Sequence, residues 1–484
     1  MTEGRISTNA QKIKAGRLSL LLVAVYVFLV VLLYFLAGDQ FRYRESRYNM
    51  AMPASESAIT ELTKDVVIEE VFATSIDRIK TISVQWGTYY RANSGTITAE
   101  LFDTRDDSLL LSWDIAAEEI KDGECTDMHF PVPLEQYNNI PLRLRLISNS
   151  RQGNAVAPLM TSQTQNGVTL LIDRVPAEGS LCLAVFGEEY VWIGQHYWAF
   201  AGVLGILIVA FLAICYHRWT IGKPSLLVNA ALAIKRYRFL IKQLVSRDFK
   251  TKYKRSALGV LWSFLNPLLT MSVQYAVFSA MFRFDIAHYP IYLLTGIVMF
   301  NYFSESCGLT LTAITGNASL ITKVYVPKYI YPLTRVLSSL INLLISMIPL
   351  FLGAIISGLR PTGAYILALF PLACIALFCL GFGMLLATSM VFFRDTQFLW
   401  GILSTIWMYA TPIFYPASIL PPQIAWILQV NPLYHFIDFL RTCIIGGVSP
   451  DPRAYVACAG YALAMLMLGA FVFKKNQDKF VLYL

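Results

Sequence analysis

The sequence has 484 residues, of which 56% are hydrophobic and 14% are charged, and its mean hydropathy is positive. Soluble globular proteins carry about 25% charged residues, so the composition excludes a soluble enzyme and indicates an integral membrane protein. The net charge of +8 is unevenly distributed, because residues 39–195 hold 23 acidic and 13 basic side chains (net −10) and the other residues hold 8 and 26 (net +18). Two regions of opposite charge are therefore expected.

The first predicted element is a membrane span at residues 18–37, whose length of about twenty apolar residues is enough to cross the hydrocarbon layer. The basic residues before it place residues 1–38 as a cytoplasmic N-terminus followed by this span. A secretory signal peptide is excluded, because the apolar run is too long and no small-residue cleavage motif follows. A second span is predicted at residues 196–217. The region between the two spans must then face away from the cytoplasm.

That region, residues 39–195, is predicted to be an extracytoplasmic all-β domain. Short segments rich in β-branched and aromatic residues alternate with turn residues, at 79–86, 95–102, 108–113, 142–148, 168–172 and 180–186. We expect a β-sandwich of jelly-roll type. The domain contains the aromatic residues Trp86, Tyr89, Tyr90 and Trp113. Such residues either offer flat faces to sugars or fill the core, and filling the core is the commoner role in strands.

Two of the eight cysteines, Cys125 and Cys182, lie in this polar region. If the domain faces an oxidising compartment they can pair, and otherwise they stay as buried thiols. The remaining six lie in or beside apolar runs, where cysteine is usually a small hydrophobic residue.

Residues 218–257 are predicted to form a cytoplasmic linker and a basic amphipathic helix. Apolar residues recur at helical spacing, at Tyr237, Leu240, Ile241, Leu244, Val245, Phe249 and Tyr253. The basic residues among them are Lys235, Arg236, Arg238, Lys242, Arg247, Lys250, Lys252, Lys254 and Arg255. Such a helix lies in the membrane interface, attracted to anionic lipid headgroups. Nucleic acid is not an expected partner, because a helix between two spans cannot reach a duplex.

Six further spans are predicted within residues 258–484, at 258–282, 291–314, 331–357, 365–393, 398–411 and 454–473. The loop charges place both termini in the cytoplasm, with eight spans in all. Four arginines then fall on the outer side: Arg283, Arg360, Arg441 and Arg453. Residues 412–447 contain too many prolines and polar residues for one span, so they are predicted to be re-entrant, as two half-helices, or to form an interfacial cap.

The chain contains none of the phosphate-binding, zinc-protease or Cys-x-x-Cys motifs. No catalytic, cofactor-binding or metal-binding residue is predicted, and the energy for any transport must come from another chain. Glu305 is the one clear carboxylate inside a predicted span. It either faces a polar conduit or is bound to neighbouring hydroxyl groups, and one such residue gives little support for proton coupling.

Four motifs follow one another in order along residues 244–433. They are LVSRDFKTKYKRSALGVLW at 244–262 with NPL at 266–268, NASLI at 317–321 with KVYVPK at 323–328, FRD at 393–395, and NPL at 431–433. With them, residues 226–484 resemble the permease subunits of type-2 ABC transporters, in the branch that exports polysaccharide, O-antigen and teichoic acid.

The resemblance implies a six-span permease core at residues 258–484 and a homodimer in the bacterial cytoplasmic membrane. It also implies two copies of a cytoplasmic ABC ATPase, which hold the ATP and magnesium, and a lipid-linked polysaccharide as cargo. By the same resemblance the loop 317–331 would couple to the ATPase, through Asn317, Lys323, Val324, Tyr325, Pro327 and Lys328. An ordinary positively charged cytoplasmic loop is the alternative.

The amphipathic helix would gate lateral entry of the pyrophosphate headgroup, with Arg247, Lys250 and Lys252 as phosphate contacts, although contact with bulk lipid phosphates explains these residues nearly as well. Five aromatic residues would line the glycan path by stacking on sugar C–H surfaces, namely Trp407, Tyr409, Phe414, Tyr415 and Tyr434. The alternative is that they belong to an interfacial belt.

Typical members of this branch lack the first 225 residues, so the resemblance does not explain the β domain. We hypothesise that this domain receives the glycan or recruits the enzyme that attaches it. Two alternatives to the whole interpretation remain open: an ABC exporter of a lipid or drug, and a membrane scaffold that senses glycan.

Overall fold

The structure, a computed structural model, describes residues 9–49, 57–162, 167–221, 226–254, 256–282, 286, 288–323, 326–419, 421, 423 and 426–483. The chain divides into two compact units. One comprises Met1–Phe41 and His196–Leu484, which we name the membrane unit, and the other comprises Arg42–Gln195, which we name the β-domain.

The helices in chain order are α1 (Asn9–Ala37), α2 (Trp192–Gln195, which ends the β-domain), α3 (Tyr197–Thr220), α4 (Leu226–Lys252), α5 (Leu261–Phe282), α6 (Tyr289–Leu311), α7 (Ala318–Lys323), α8 (Ile330–Ile356), α9 (Ala364–Leu367), α10 (Leu369–Phe392), α11 (Thr396–Ala410), α12 (Trp426–Val430), α13 (Pro432–Ile444), α14 (Pro452–Asn476) and α15 (Phe480–Tyr483). Every predicted span overlaps one of these helices over most of its length, so the helical nature of these segments is confirmed.

Five helical stretches among the described residues are long and apolar enough to cross a membrane. They are Ser19–Ala37, Tyr197–Arg218, Ile330–Ile356, Ala364–Phe392 and Pro452–Tyr483. The chain is therefore a helical integral membrane protein. Helix α11 has 15 residues, fewer than the roughly 17 that an untilted span needs.

Helices α10 and α14 approach each other closely through glycine. A methyl group added to Gly469 would overlap the carbonyl group of Gly381, and one added to Gly381 would overlap the backbone of Met465. Small residues allow helix backbones to come this near in a membrane, where association depends on packing contacts.

The described residues of the β-domain form thirteen strands, β1 (Tyr43–Asn49), β2 (Ser57–Ala58), β3 (Ile68–Phe72), β4 (Arg78–Gly87), β5 (Thr96–Asp103), β6 (Leu109–Ala116), β7 (Cys125–Glu135), β8 (Leu142–Ser148), β9 (Ala157–Thr161), β10 (Thr169–Ile172), β11 (Val175–Ala177), β12 (Ser180–Leu181) and β13 (Leu183–Tyr190). One sheet has the order β1-β13-β4-β9-β12, with β2 beside β9 and β7 beside β4, and the other has the order β11-β10-β3-β8-β5-β6. Buried aliphatic residues from both sheets form one core, so the domain is a β-sandwich.

The six predicted strands are confirmed, and the last of them divides into β12 and β13 at Cys182. Of the two roles left open for the aromatic residues, Trp86 and Trp113 take the core role, because Trp86 is fully buried and Trp113 packs against the core. No disulfide joins Cys125 to Cys182. The two cysteines lie on opposite sides of strand β4, each beside Gln85. A separation of two strand spacings, about 9 to 10 Å, exceeds the reach of a disulfide.

Candidate functional site

Helix α4 presents the predicted amphipathic pattern. Leu244 belongs to a buried cluster that includes residues of α8 and α10, and Tyr237, Leu240 and Ile241 pack against this cluster. The basic residues Lys235, Arg236, Arg238 and Lys242 are exposed on the same helix. One face of α4 therefore packs on the permease helices while its charged side chains stay accessible.

Two of the three predicted phosphate contacts are held in ion pairs. Arg247 Nη2 lies 2.9 Å from Asp248 Oδ1 and donates to Asn317 Oδ1 at 3.3 Å. Arg335 of α8 reaches the other oxygen of Asp248 at 3.0 Å. This cluster joins α4 to α8 and to the start of the predicted coupling loop. Lys250 is exposed.

Glu305 is bound to Lys252. Lys252 Nζ lies 2.8 Å from both carboxylate oxygens, and Asn342 Nδ2 donates to Oε1 at 2.7 Å. Tyr253 Oη in turn donates to Asn342 Oδ1 at 3.0 Å. The expectation that Glu305 is bound to neighbouring hydroxyl groups is wrong, because its partners are the ammonium group of Lys252 on α4 and the side-chain amide of Asn342 on α8. These hydrogen bonds join the end of α4 to α6 and α8 through Lys252, Tyr253, Glu305 and Asn342.

A groove of about 600 Å³ runs between α4 and α8. Arg238, Lys242 and Ser246 line it on α4, spaced four residues apart, which places them on one face of the helix. Its other residues are apolar: Ile241, Val245, Phe249, Leu337, Leu340, Ile341 and Leu344. Sequence reasoning did not single out Arg238 and Lys242 among nine basic residues. Their spacing of four residues, which places both on one face of the helix, could have indicated them.

The predicted coupling loop contains the six-residue helix α7. Val324 and Tyr325 lie outside the described residues. Lys323 ends α7 and is exposed. Lys328 instead donates to the carbonyl of Gln477 at 2.6 Å and lies over the ring of Phe480. Lys328 therefore fastens the loop to the C-terminal segment.

The other two described residues of that prediction are also packed. Asn317 is buried, and its Nδ2 donates to the carbonyl of Ala313 at 2.8 Å. Pro327 is half-buried and its carbonyl accepts from the amide of Ile330 at 3.0 Å. Within the described part of this loop, Lys323 is thus better placed than Asn317, Pro327 or Lys328 to contact another chain.

The five predicted glycan-path aromatics differ in exposure. Tyr409 is 62% exposed and Phe414 only 5%. Phe414 stacks on Phe278 with ring centroids 5.3 Å apart. Trp407 packs edge-on against Phe303 at 5.0 Å and donates from Nε1 to Asn431 Oδ1 at 2.9 Å.

The remaining two aromatics are half-buried. Tyr415 donates from its hydroxyl to the carbonyl of Tyr409 at 2.8 Å, and Tyr434 packs against His435. Of the five predicted lining residues, Tyr409 is exposed, Phe414 is buried, and Trp407, Tyr415 and Tyr434 are half-buried.

A buried arginine holds the non-helical segment that follows α11. Arg441, in α13, is 7% exposed and donates from Nη1 to the carbonyl of Pro412 at 2.8 Å. Its Nη2 donates to the carbonyls of Ile413 at 3.2 Å and Tyr292 at 3.1 Å, and the guanidinium lies 3.3 Å from the centre of the Tyr292 ring.

Arg441 is therefore a buried residue of helix α13 and does not lie in a loop. A hydrophobic pattern cannot distinguish a buried, hydrogen-bonded arginine from one in a loop. The guanidinium gives hydrogen-bond partners to buried backbone carbonyls, which would otherwise be costly to remove from water.

Comparisons with known proteins give a consistent result. A sequence profile described as ABC-2 type transporter matches residues 239–445. The chain is 30% identical over 258 residues to the O-antigen export system permease protein RfbA of Myxococcus xanthus, covering 52% of this chain and 98% of that protein. It is 28% identical over 244 residues to RfbA of Klebsiella pneumoniae, covering 50% and 93%.

A more distant relative is the polysialic acid transport protein KpsM of Escherichia coli, which is 24% identical over 243 residues, covering 49% of this chain and 93% of that protein. Each match thus spans nearly all of the relative and about half of this chain. The β-domain precedes the profile match.

Proposed function

Since the chain belongs to the ABC-2 type transporter family, we propose that it is the transmembrane permease subunit of an exporter that moves a lipid-linked cell-surface polysaccharide across the bacterial cytoplasmic membrane. The similarity to O-antigen export permeases over 98% of one relative carries this conclusion. The chain is a transport subunit, and ATP with magnesium is used by a separate cytoplasmic ATPase.

The finer topology follows from the sequence and is part of the proposal. Eight spans place both termini in the cytoplasm, and α1 and α3 bracket the β-domain so that it faces away from the cytoplasm. Two copies of the permease form the channel with two ATPase subunits. Residues 412–447 form the re-entrant segment, which contains α12 and α13.

The groove between α4 and α8 provides the contact for the lipid carrier. Arg238 and Lys242 supply positive charge for a phosphate-containing headgroup, and the leucine and isoleucine side chains of α8 supply an apolar wall for its hydrocarbon part. The ion pairs Asp248–Arg335 and Lys252–Glu305 hold α4 in place beside this groove.

This assignment is tested with the double variant Arg238→Gln, Lys242→Gln. We expect pulse-labelled polysaccharide to reach the cell surface about thirtyfold more slowly, because two headgroup contacts of about 1 kcal/mol each are removed. The matched control is Lys235→Gln, Arg236→Gln, which removes the same charge from exposed residues outside the groove. Equal slowing by both variants would contradict a specific headgroup site and indicate attraction to bulk lipid.

The ATPase contact is tested by affinity purification from native membranes followed by mass spectrometry. Lys323→Glu reverses an exposed charge at the end of α7, and we expect it to reduce the co-purified ATPase. Lys475→Glu makes the same change at another exposed residue, on α14, and should not. Absence of any ATPase from the wild-type sample would contradict the exporter assignment.

A further inference from the structure

The turn that connects strands β4 and β5 displays two adjacent tyrosines. Tyr89 is 45% exposed and Tyr90 is 92% exposed. We name residues 88–94 the Tyr89–Tyr90 loop. Aromatic rings are normally buried because of their large apolar area, so two neighbouring exposed rings on one turn of a β-sandwich require an explanation.

The backbone of this loop is strained where the rings are displayed. Tyr89 has φ 55° and Tyr90 has φ 53°, both in the left-handed region. This conformation costs about 1 to 2 kcal/mol for an L-residue with a side chain, and asparagine or glycine would adopt it at lower cost. Tyrosine at both positions therefore gives up stability, although Tyr89 is only partly covered and Tyr90 is almost fully exposed, which is typical of a functional site.

Hydrogen bonds hold the loop in this shape. The amide and hydroxyl of Thr88 donate to Asp122 Oδ1 at 2.6 and 3.0 Å, and Asn93 Nδ2 donates to the carbonyl of Thr88 at 3.0 Å. The hydrogen bonds from Thr88 hold the pKa of Asp122 below its usual value, so this anchor stays ionised at neutral pH.

A guanidinium group supports the first ring. Arg91 Nη2 donates to Glu61 Oε1 at 2.6 Å and to the carbonyl of Ala155 at 3.1 Å. Its guanidinium carbon lies 4.9 Å from the centre of the Tyr89 ring, within the range of a cation–π contact. The ring is thereby held before any ligand arrives, which lowers the entropy lost on binding.

Polar side chains lie in the adjacent turn. Lys121 and Glu124 lie on either side of Asp122 and Gly123 and form an ion pair, with Nζ 3.4 Å from Oε2, and their side chains are 74% and 64% exposed. The amide of Gly123 donates to the carbonyl of Trp86 at 2.8 Å, which attaches this turn to the start of the Tyr89–Tyr90 loop. The surface thus combines two flat rings with exposed donors and acceptors, and charged groups interrupt its apolar area.

We propose that the Tyr89–Tyr90 loop is a binding site for the sugar rings of a neutral polysaccharide. The negative faces of the tyrosine rings attract the C–H side of a pyranose, and Lys121 and Glu124 offer hydrogen bonds to its hydroxyl groups. The surrounding domain has net charge −10 over residues 39–195, which repels polyanionic glycans. This inference rests on the proposed export function, because the exported glycan is the ligand.

A protein partner fits the loop less well. A stable protein interface buries about 800 Å² on each side and is centred on a desolvated apolar core. Two rings bordered by Asp122, Lys121 and Glu124 provide a smaller contact with charged groups near its centre.

The test uses the full chain in lipid nanodiscs and measures glycan affinity by isothermal titration calorimetry. The probes are short neutral manno-, malto- and galacto-oligosaccharides, the producing cell's surface polysaccharide freed of lipid, and polysialic acid as the polyanion. We expect the wild type to bind at least one neutral probe and to bind polysialic acid more weakly.

Three variants separate binding from folding. Tyr89→Asn, Tyr90→Asn should weaken binding of that neutral probe at least about tenfold while leaving the melting temperature unchanged or higher, since asparagine relieves the left-handed strain. Tyr89→Phe, Tyr90→Phe retains the rings and should bind within about threefold of wild type. Val132→Asn, at a 76% exposed position of β7, is the control and should bind as wild type.

The inference is overturned if no neutral probe binds the wild type, if the asparagine variant binds as well as the wild type, or if polysialic acid binds more tightly. Deleting the whole gene tests the proposed function separately. Surface polysaccharide lost on deletion supports the export function whatever the calorimetry shows, and surface polysaccharide unchanged on deletion contradicts it.

Discussion

The membrane unit and the β-domain are stabilised in different ways. In the β-domain, aliphatic side chains of two sheets form a buried core, which the hydrophobic effect favours in water. In the membrane unit many large apolar side chains face outward, such as Phe35 at 78% and Phe398 at 75% exposed, as expected for contact with lipid. Because lipid is as apolar as leucine, close packing and buried hydrogen bonds decide how these helices associate.

This difference predicts that removing Arg441 has the largest effect. Arg441→Met leaves carbonyls of Pro412, Ile413 and Tyr292 without their donor, and we expect a loss of at least about 3 kcal/mol of unfolding free energy together with loss of export. The measurement is reversible denaturation in detergent, with export assayed in cells. Arg453→Met is the control, because Arg453 is exposed at the start of α14. Equal effects would show that Arg441 does not hold the 411–415 segment.

Close helix packing gives the next largest effect. Gly469→Ala places a methyl group against the Gly381 backbone and should cost about 2 to 3 kcal/mol, because two helix backbones must separate. Gly460→Ala, on the same helix, meets no atom within 4 Å and should cost nothing. The same denaturation experiment compares the two. A small cost at Gly469 would mean that α10 and α14 can move apart freely.

Sequence reasoning succeeded where one periodicity governs a whole segment. The pattern that places Tyr237, Leu240, Ile241 and Leu244 on one face of α4 is reproduced by their burial. It did not find β7, since Pro131 and Pro133 and several polar residues interrupt the strand pattern, and these are features that an edge strand tolerates.

The site was less predictable than the fold, because basic residues of one helix look alike in sequence. The sequence favoured Arg247, Lys250 and Lys252 as phosphate contacts, whereas in the structure Arg238 and Lys242 line the groove and Lys252 is paired with Glu305. Glu305 is separated by 53 residues from Lys252, and no local pattern connects them. Arg441 was missed for the same reason, since its partners are backbone carbonyls.

The β-domain should respond to pH through Glu70, which is fully buried in its core. Burial raises the pKa of this carboxyl to about 8, so the folded domain keeps a proton that the unfolded chain releases above its ordinary pKa. The folded state then binds more protons, and its stability falls as the pH rises from about 4.5 to 8, by about 2 kcal/mol between pH 6 and 8.

Calorimetric unfolding of the full chain in nanodiscs measures this effect. Glu70→Gln keeps an oxygen that accepts from the amide of Leu181 and cannot ionise, so the corresponding transition should become independent of pH over this interval. A transition that keeps its pH dependence in the variant would assign the effect to another group.

The smallest effect is expected on the outer face of the β-domain. Arg145 lies between Glu69 at 3.6 Å and Glu100 at 3.7 Å, as a cross-strand ladder of charges, and its side chain is 33% exposed. Arg143 Nε also lies 3.9 Å from Glu69 Oε1, so Glu69, whose side chain is only 11% exposed, keeps a cation beside it when Arg145 is removed. The loss is then that of a partly exposed ion pair, about 0 to 1 kcal/mol. Arg145→Met should therefore lower the unfolding free energy by less than about 1 kcal/mol, an effect that high salt diminishes.

Arg441→Met removes the same functional group, but it also removes several buried hydrogen bonds. The ratio of the two losses of unfolding free energy therefore measures how far burial, rather than charge, determines what an arginine contributes to this protein. A loss at Arg145 as large as that at Arg441 would mean that the charge ladder stabilises the β-domain as strongly as buried hydrogen bonds stabilise the membrane unit.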